Sequence, residues 1–231
     1  MHRILLVDDD RELCAMLGQY LAEEGFSCAA AHDGATALDR AMGESFDALV
    51  LDLMMPGLNG FEVVRRLRDS KDTPVVILTA RGDDADNIVG LEIGADDYLT
   101  KPCNPQVLAA HLRAVLRRSA PAGEFTAGSQ LTLGDLTLYP GARRVRLGRE
   151  EPELTSAEFN LLHTLMKSAG QTVTKDTLCQ EALGRRLSPY DRSVDIHISN
   201  LRRKLGPAPG GTQRIRTVRG TGYLLALPLP S

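Results

Sequence analysis

The side chains best suited to chemistry fall at the ends of short apolar runs. RILLV (3–7) is followed by Asp8, Asp9 and Asp10, ALVLD (48–52) closes on Asp52, VVILT (75–79) closes on Thr79, and DYLT (97–100) leads into Lys101. Carboxylates brought to one place repel each other and are costly to bury unless a cation sits among them. Oxygen donors of this kind, with waters and a main-chain carbonyl, suit Mg²⁺. A carboxylate beside such an ion can act as a nucleophile.

These residues can act together only if the runs lie side by side. Between the runs the apolar spacing becomes helical: Leu13, Met16, Leu17, Tyr20 and Leu21 recur at the period of a helix over 11–25. Further helices are predicted over 34–42, near 61–67, over 84–93 and over 106–117, with a weak strand at 27–31. Five strand–helix units with continuously apolar strands imply a parallel sheet covered on both faces. Such a sheet binds ligands beyond the C-terminal ends of its strands, where the polar residues above converge.

The 231 residues leave room for a second domain, and charge separates the halves. Residues 1–118 carry 12 Lys/Arg against 20 Asp/Glu, a net of −8, whereas residues 119–231 carry 15 against 10, a net of +5. One half suits cations and the other polyanions. The stretch 119–130, rich in Ala, Gly and Ser, reads as a flexible linker. Beyond it, LTLGDLTLYP, ARRVRLG and EPELT predict a small antiparallel sheet. Helices are expected from an N-cap at Ser156, over 174–182 and over 189–205, followed by a hairpin over 215–227. The cysteines lack metal-ligand spacing. No apolar stretch is long enough for a signal core or a membrane span, so a cytoplasmic protein without membrane insertion is expected.

Residues 185–219 hold nine Lys/Arg and two acidic residues, a cluster suited to phosphate contacts. In the helix over 189–205, Val194, Ile196, Ile198, Leu201 and Leu205 are available for burial. Arg192, His197, Asn200, Arg203 and Lys204 fall largely on outer faces, as a helix in a DNA major groove requires.

The N-terminal set (Asp8-Asp9-Asp10, Asp52-LMMPGLNG, Thr79-Ala80, Lys101-Pro102) resembles the receiver domain of two-component response regulators over residues 2–118. LTSAEFNLL, YDRSVDIHISNLRRKL and VRGTGYLL resemble the winged helix-turn-helix domain of the OmpR/PhoB family over 131–227. Within that family the runs DRELC, AHDG and GADDYLTKP are most similar to the CpxR-like regulators of envelope stress. The resemblance implies a flavodoxin-like α/β receiver (1–118), with a five-stranded, doubly wound parallel sheet. A linker (119–130) and an α+β winged helix-turn-helix domain (131–231) follow.

It also implies roles. Asp52 would accept a phosphoryl group from a sensor histidine kinase. Asp8, Asp9, Asp52 and the Met54 carbonyl would hold Mg²⁺, Lys101 would pair with the phosphate, and Thr79 and Tyr98 would form the switch. Phosphorylation would then promote a homodimer through Ile88, Leu91, Asp96, Asp97, His111 and Arg118, with Asp96 and Arg118 making one ion pair. The protein would regulate transcription from promoter DNA with RNA polymerase as a partner. It would not be an enzyme beyond Mg-dependent self-phosphorylation and autodephosphorylation. DNA contacts are expected from Arg192, Ser193, His197, Asn200, Arg202, Arg203, Lys204, Thr217, Arg219 and Tyr223, with Asn200 bonding adenine.

The chain departs from the family at Asn87 and Val107, where a basic–acidic pair is usual. His111 replaces an arginine opposite Asp97, and Cys103 replaces a phenylalanine. The histidine raises the prospect of a dimer that strengthens below neutral pH. A metal-dependent phosphotransfer enzyme is the alternative class, and the basic helix-and-wing half argues against it.

Overall fold

The computed structural model describes residues 1–80, 89–119, 130–187 and 191–228. The chain divides into two units, Met1–Arg117 and Arg118–Ser231.

The first unit contains β1 (His2–Val7), α1 (Arg11–Glu23), β2 (Phe26–Ala31), α2 (Gly34–Gly43), β3 (Ala48–Asp52), α3 (Gly60–Arg68), β4 (Val75–Ala80), β5 (Asp97–Lys101) and α4 (Pro105–Ser119). The strands form one sheet in the order β2-β1-β3-β4-β5, and all its pairings are parallel. Ile4–Val7, Ala48–Leu51 and Val75–Leu78 are almost wholly buried, as a sheet covered on both faces demands. Each buried Leu, Ile or Val contributes about 1.5–3 kcal/mol over an exposed one. The helices begin where polar caps dictate: Asp10 accepts from Leu13 N, Asp33 from Thr36 N and Asn59 from Glu62 N. The helix expected over 84–93 falls mainly outside the described residues, although residues 89–92 are helical.

The second unit opens with β6 (Leu131–Leu133), β7 (Leu136–Tyr139) and β8 (Arg144–Leu147), an antiparallel meander. Then come α5 (Ser156–Lys167), β9 (Thr172–Thr174), α6 (Lys175–Ala182), α7 (Ser193–Leu205), β10 (Ile215–Val218) and β11 (Gly222–Leu225). The hairpin β10–β11 gains β9 as a third strand, in the order β10-β11-β9, a strand too short for its alternation to be read in the sequence. Gly222 is fixed by this pairing, because a Cβ there would lie 2.0 Å from the Val173 carbonyl oxygen.

Two boundaries differ from expectation. The N-cap of α5 is Thr155 rather than Ser156, because Thr155 and Glu158 form a capping box. The third helix starts at Ser193 rather than near 189, because the Asp191 carboxylate accepts from Ser193 N and Arg192 lies outside helical geometry. Its core-facing side is Val194, Ile198, Leu201 and Leu205. Ile196 is buried as expected, although it lies outside that cluster.

Candidate functional site

The sheet order reverses direction between β2-β1 and β1-β3, which makes the gap between β1 and β3 the switch point where ligands bind. Register then determines what meets there. Val7 pairs with Leu51, so the next residues along, Asp8 and Asp52, are neighbours. Asp52 pairs with Leu78, one residue before Thr79, and Ala80 pairs with Lys101. Gly60 allows α3 to start hard against the end of β3, since a Cβ there would lie 2.3 Å from the Asp52 carbonyl oxygen.

Ligand oxygens of Asp8, Asp9 and Asp52 lie within 4.8 Å of one another. Asp8 and Asp52 are buried and Asp9 is exposed. Lys101 Nζ donates to Asp8 Oδ2 at 2.6 Å and to Asp52 Oδ2 at 2.8 Å. Burial raises the Asp8 carboxyl, and the hydrogen bonds from Lys101 and from Asp10 N offset part of that rise. Burial alone would lower the Lys101 ammonium, but the bonds to Asp52 and Asp8 outweigh it and the net direction is upward. One ammonium faces three carboxylates, so the oxygen-rich cluster suits a further hard cation. Thr79 is buried and Tyr98 half-buried. The Met54 amide donates to Asp52 Oδ1 at 3.2 Å, and the Lys101–Pro102 peptide is cis.

The residues expected at a dimer surface divide differently. Asp96 is held within its own unit: its Oδ2 accepts from Arg68 Nη2 at 2.9 Å and from Val75 N at 3.0 Å. The carboxylate thereby anchors the β5 entrance to α3. Arg68 was missed as its partner, since nothing in the spacing joins residues 28 apart. Asp97 meets His111 within the chain, Nδ1 to Oδ2 at 2.9 Å. Leu91 is buried rather than part of an open patch. Ile88 and the Arg118 side chain lie outside the described residues.

In the second unit α7 and the hairpin bring the basic residues together. Arg192, Arg203, Thr217 and Arg219 are exposed. Arg202 Nε donates to the Ile215 carbonyl at 2.9 Å and Nη2 to Thr217 Oγ1 at 2.8 Å, which fastens the helix to the wing. Several residues expected to contact DNA also make contacts within the protein. Lys204 Nζ reaches Glu158 Oε2 at 2.7 Å, where it neutralises a buried capping carboxylate. The Tyr223 hydroxyl donates to Asp195 while its ring is buried; burial and that carboxylate push the phenol upward. Ser193, His197 and Asn200 expose almost no surface. The Ser193 hydroxyl accepts from Arg185 Nη2 at 2.8 Å, and the Asn200 Oδ1 accepts from Arg203 at 3.1 Å. Arg185 also pairs with the buried Asp191. This bridge across the start of α7 was missed because its members stand six and eight residues apart in irregular chain.

Comparison with known proteins agrees with this geometry. Residues 4–113 match the response regulator receiver domain and residues 149–225 match the C-terminal domain of transcriptional regulatory proteins. The chain is 47% identical to the transcriptional regulatory protein CpxR of Escherichia coli (strain K12), over 97% of this chain and 98% of that protein. It is 42% identical to the CpxR homolog of Haemophilus influenzae, over 97% of this chain and 99% of that protein. Among solved structures it resembles the response regulator DrrB, a Thermotoga maritima OmpR/PhoB homolog, with TM-score 0.52 and 31% identity over 98% of this chain and 99% of that one. Among the described residues no helix is long and apolar enough to cross a membrane. With a five-stranded parallel receiver, an acidic switch-point cluster and a winged helix unit in one polypeptide, the chain belongs to the OmpR/PhoB family of response regulators, CpxR type, and is a phosphorylation-controlled transcription regulator.

Proposed function

We propose that Asp52 is the phosphoacceptor and that its phosphorylation by a sensor histidine kinase promotes receiver dimerisation and promoter binding. The observation that carries this reading is the convergence of Asp8, Asp9, Asp52 and Lys101 at the β1–β3 switch point. An Asp52 oxygen would bond to phosphorus as the P–N bond of the donor phosphohistidine breaks. Asp8, Asp9, Asp52 and the Met54 carbonyl would hold Mg²⁺, which when bound offsets charge on the phosphoryl oxygens. Lys101, already 2.8 Å from Asp52, would pair with the product phosphate. The Thr79 hydroxyl would hydrogen-bond that phosphate, leaving space for Tyr98 to turn inward. Since a ligand shifts a population only through contacts that differ between states, this pair supplies the difference.

Dimerisation would use the face around His111, whose ring is held by the buried Asp97. DNA would be met by Arg192, Arg203 and the wing residues Thr217 and Arg219. Asn200 and Arg202 would join them once their internal partners let go. RNA polymerase would be the downstream partner, envelope-stress genes the targets and the cytoplasm the setting. Catalysis would be limited to self-phosphorylation and autodephosphorylation. Mass and size measurement of the full-length protein after incubation with acetyl phosphate and Mg²⁺ tests the reading. A phosphoryl adduct and a dimer are expected for the wild type, and neither for Asp52→Ala.

A further inference from the structure

One side chain at the rim has no part in the scheme above. His32 follows the last residue of β2, and its Nδ1 lies 3.0 Å from the main-chain carbonyl oxygen of Asp8. A carbonyl only accepts, so Nδ1 carries the proton in this contact. The ladder between β1 and β2 ends at the pair Val7–Ala31, followed by one further bond from Asp8 N to the Ala31 carbonyl at 3.1 Å. After Ala31 the chain turns away so that Asp33 can cap α2. The His32 ring therefore extends the β1–β2 pairing by one rung, with a side chain in place of a backbone donor.

That rung sits at a sensitive place. The Asp8 carbonyl and the Asp9 amide share one planar peptide group, so holding the carbonyl fixes the direction in which the chain presents Asp9. The flanking positions are already secured. The Asp8 carboxylate bonds Lys101 and Asp10 N, and Asp10 caps α1. The Cys14 thiol gives the Asp8 carbonyl only a weak second contact, at 3.7 Å. Asp9 is the exposed member of the three acids, and its placement depends most on the peptide that precedes it.

We infer that His32 is a positioning residue for the cation-binding loop, acting through the Asp8 carbonyl to set the affinity of the acidic cluster for Mg²⁺. This rests on the proposed reading of that cluster as a Mg²⁺ site. Groups that orient ligands from behind typically alter metal affinity by about 10–100-fold when lost, and a single backbone contact belongs at the lower end.

The test is Mg²⁺ titration of the full-length, unphosphorylated protein by calorimetry. His32→Asn keeps an N–H donor where Nδ1 stood, whereas His32→Leu has the same branching and no donor. His32→Leu is expected to raise the Kd for Mg²⁺ about tenfold, with the Asn variant close to wild type. Phosphorylation by acetyl phosphate should recover in the Leu variant at saturating Mg²⁺. If the Leu variant does not fold, His32→Gln replaces it, since its amide nitrogen lies one bond too far out and should weaken binding relative to Asn. Equal Kd values for wild type and the donor-less variant would overturn the inference, as would an Asn variant as weak as Leu. A wild type that binds no Mg²⁺ would instead refute the metal site itself.

Discussion

The rim of the receiver sheet and the outer side of α7 are both dense in charge, yet they are built in opposite ways. At the rim, charged groups from three strand ends converge and remain under-compensated, with one lysine facing three carboxylates. Around α7, much of the charge already has a partner inside the domain. Lys204 neutralises Glu158, Arg202 holds the wing, Arg203 holds Asn200, and Arg185 holds Asp191 and Ser193. The first region is the one proposed above to take up a cation and a phosphate. The second spends part of its basic character on placing a helix beside a hairpin, and leaves Arg192, Arg203 and Arg219 exposed for a polyanion.

The contrast can be broken most sharply at Lys101. Lys101→Ala removes the group that joins Asp8 to Asp52, and the rate of phosphorylation from acetyl phosphate should fall about 10²-fold; a rate near wild type would show the lysine to be incidental. Next in size is Arg185→Ala, which leaves the Asp191 side chain, 2% exposed, without its cation. Breaking such a buried pair from one side costs about 3–5 kcal/mol. Calorimetry of the full chain should show the second unit's transition shifted down while Asp52 phosphorylation persists.

Two neighbouring substitutions then sharpen the division on α7. Asn200→Ala is expected to lose about 1–3 kcal/mol on the specific site and little on random DNA. Lys204→Ala should lower stability without changing the salt dependence of DNA binding. A reduced salt slope for Lys204→Ala would return that lysine to the DNA-contact set.

The smallest effect concerns pH. Burial raises the Asp191 carboxyl, but the hydrogen bond and charge of Arg185 outweigh it and the net direction is downward. A depressed carboxyl contributes stability that is fully present above the ordinary carboxylate pKa of about 4 and is lost as pH falls through the depressed value. The second unit's melting temperature should therefore fall in acid, and less steeply in Asp191→Asn, which starts from lower stability.

How much of this was legible in the sequence follows from the same contrast. The order of apolar runs dictates a parallel sheet, and a parallel sheet brings its strand ends to one rim, so Asp8, Asp9, Asp52, Thr79 and Lys101 could be assembled without coordinates. The internal partners of Lys204, Tyr223, Asp96 and Asn200 could not. Each lies where helical or strand spacing permits an outward side chain, and each is claimed by a partner distant in sequence or by a neighbour one turn away: Glu158, Asp195, Arg68 and Arg203. A basic residue on a helix looks the same in sequence whether it faces DNA or a buried cap. His32 escaped notice for a related reason, since its contact is to a main-chain carbonyl, which carries no sequence signature.

The central claim is that charge added at Asp52 is felt by the basic unit. Its most direct test is the affinity of the full-length protein for its promoter at one fixed salt concentration, before and after treatment with acetyl phosphate and Mg²⁺. Wild type should tighten by about 5–150-fold, the usual range for coupled sites, and Asp52→Ala should not change. Equal affinities before and after verified phosphorylation, or the same tightening in Asp52→Ala, would contradict the account.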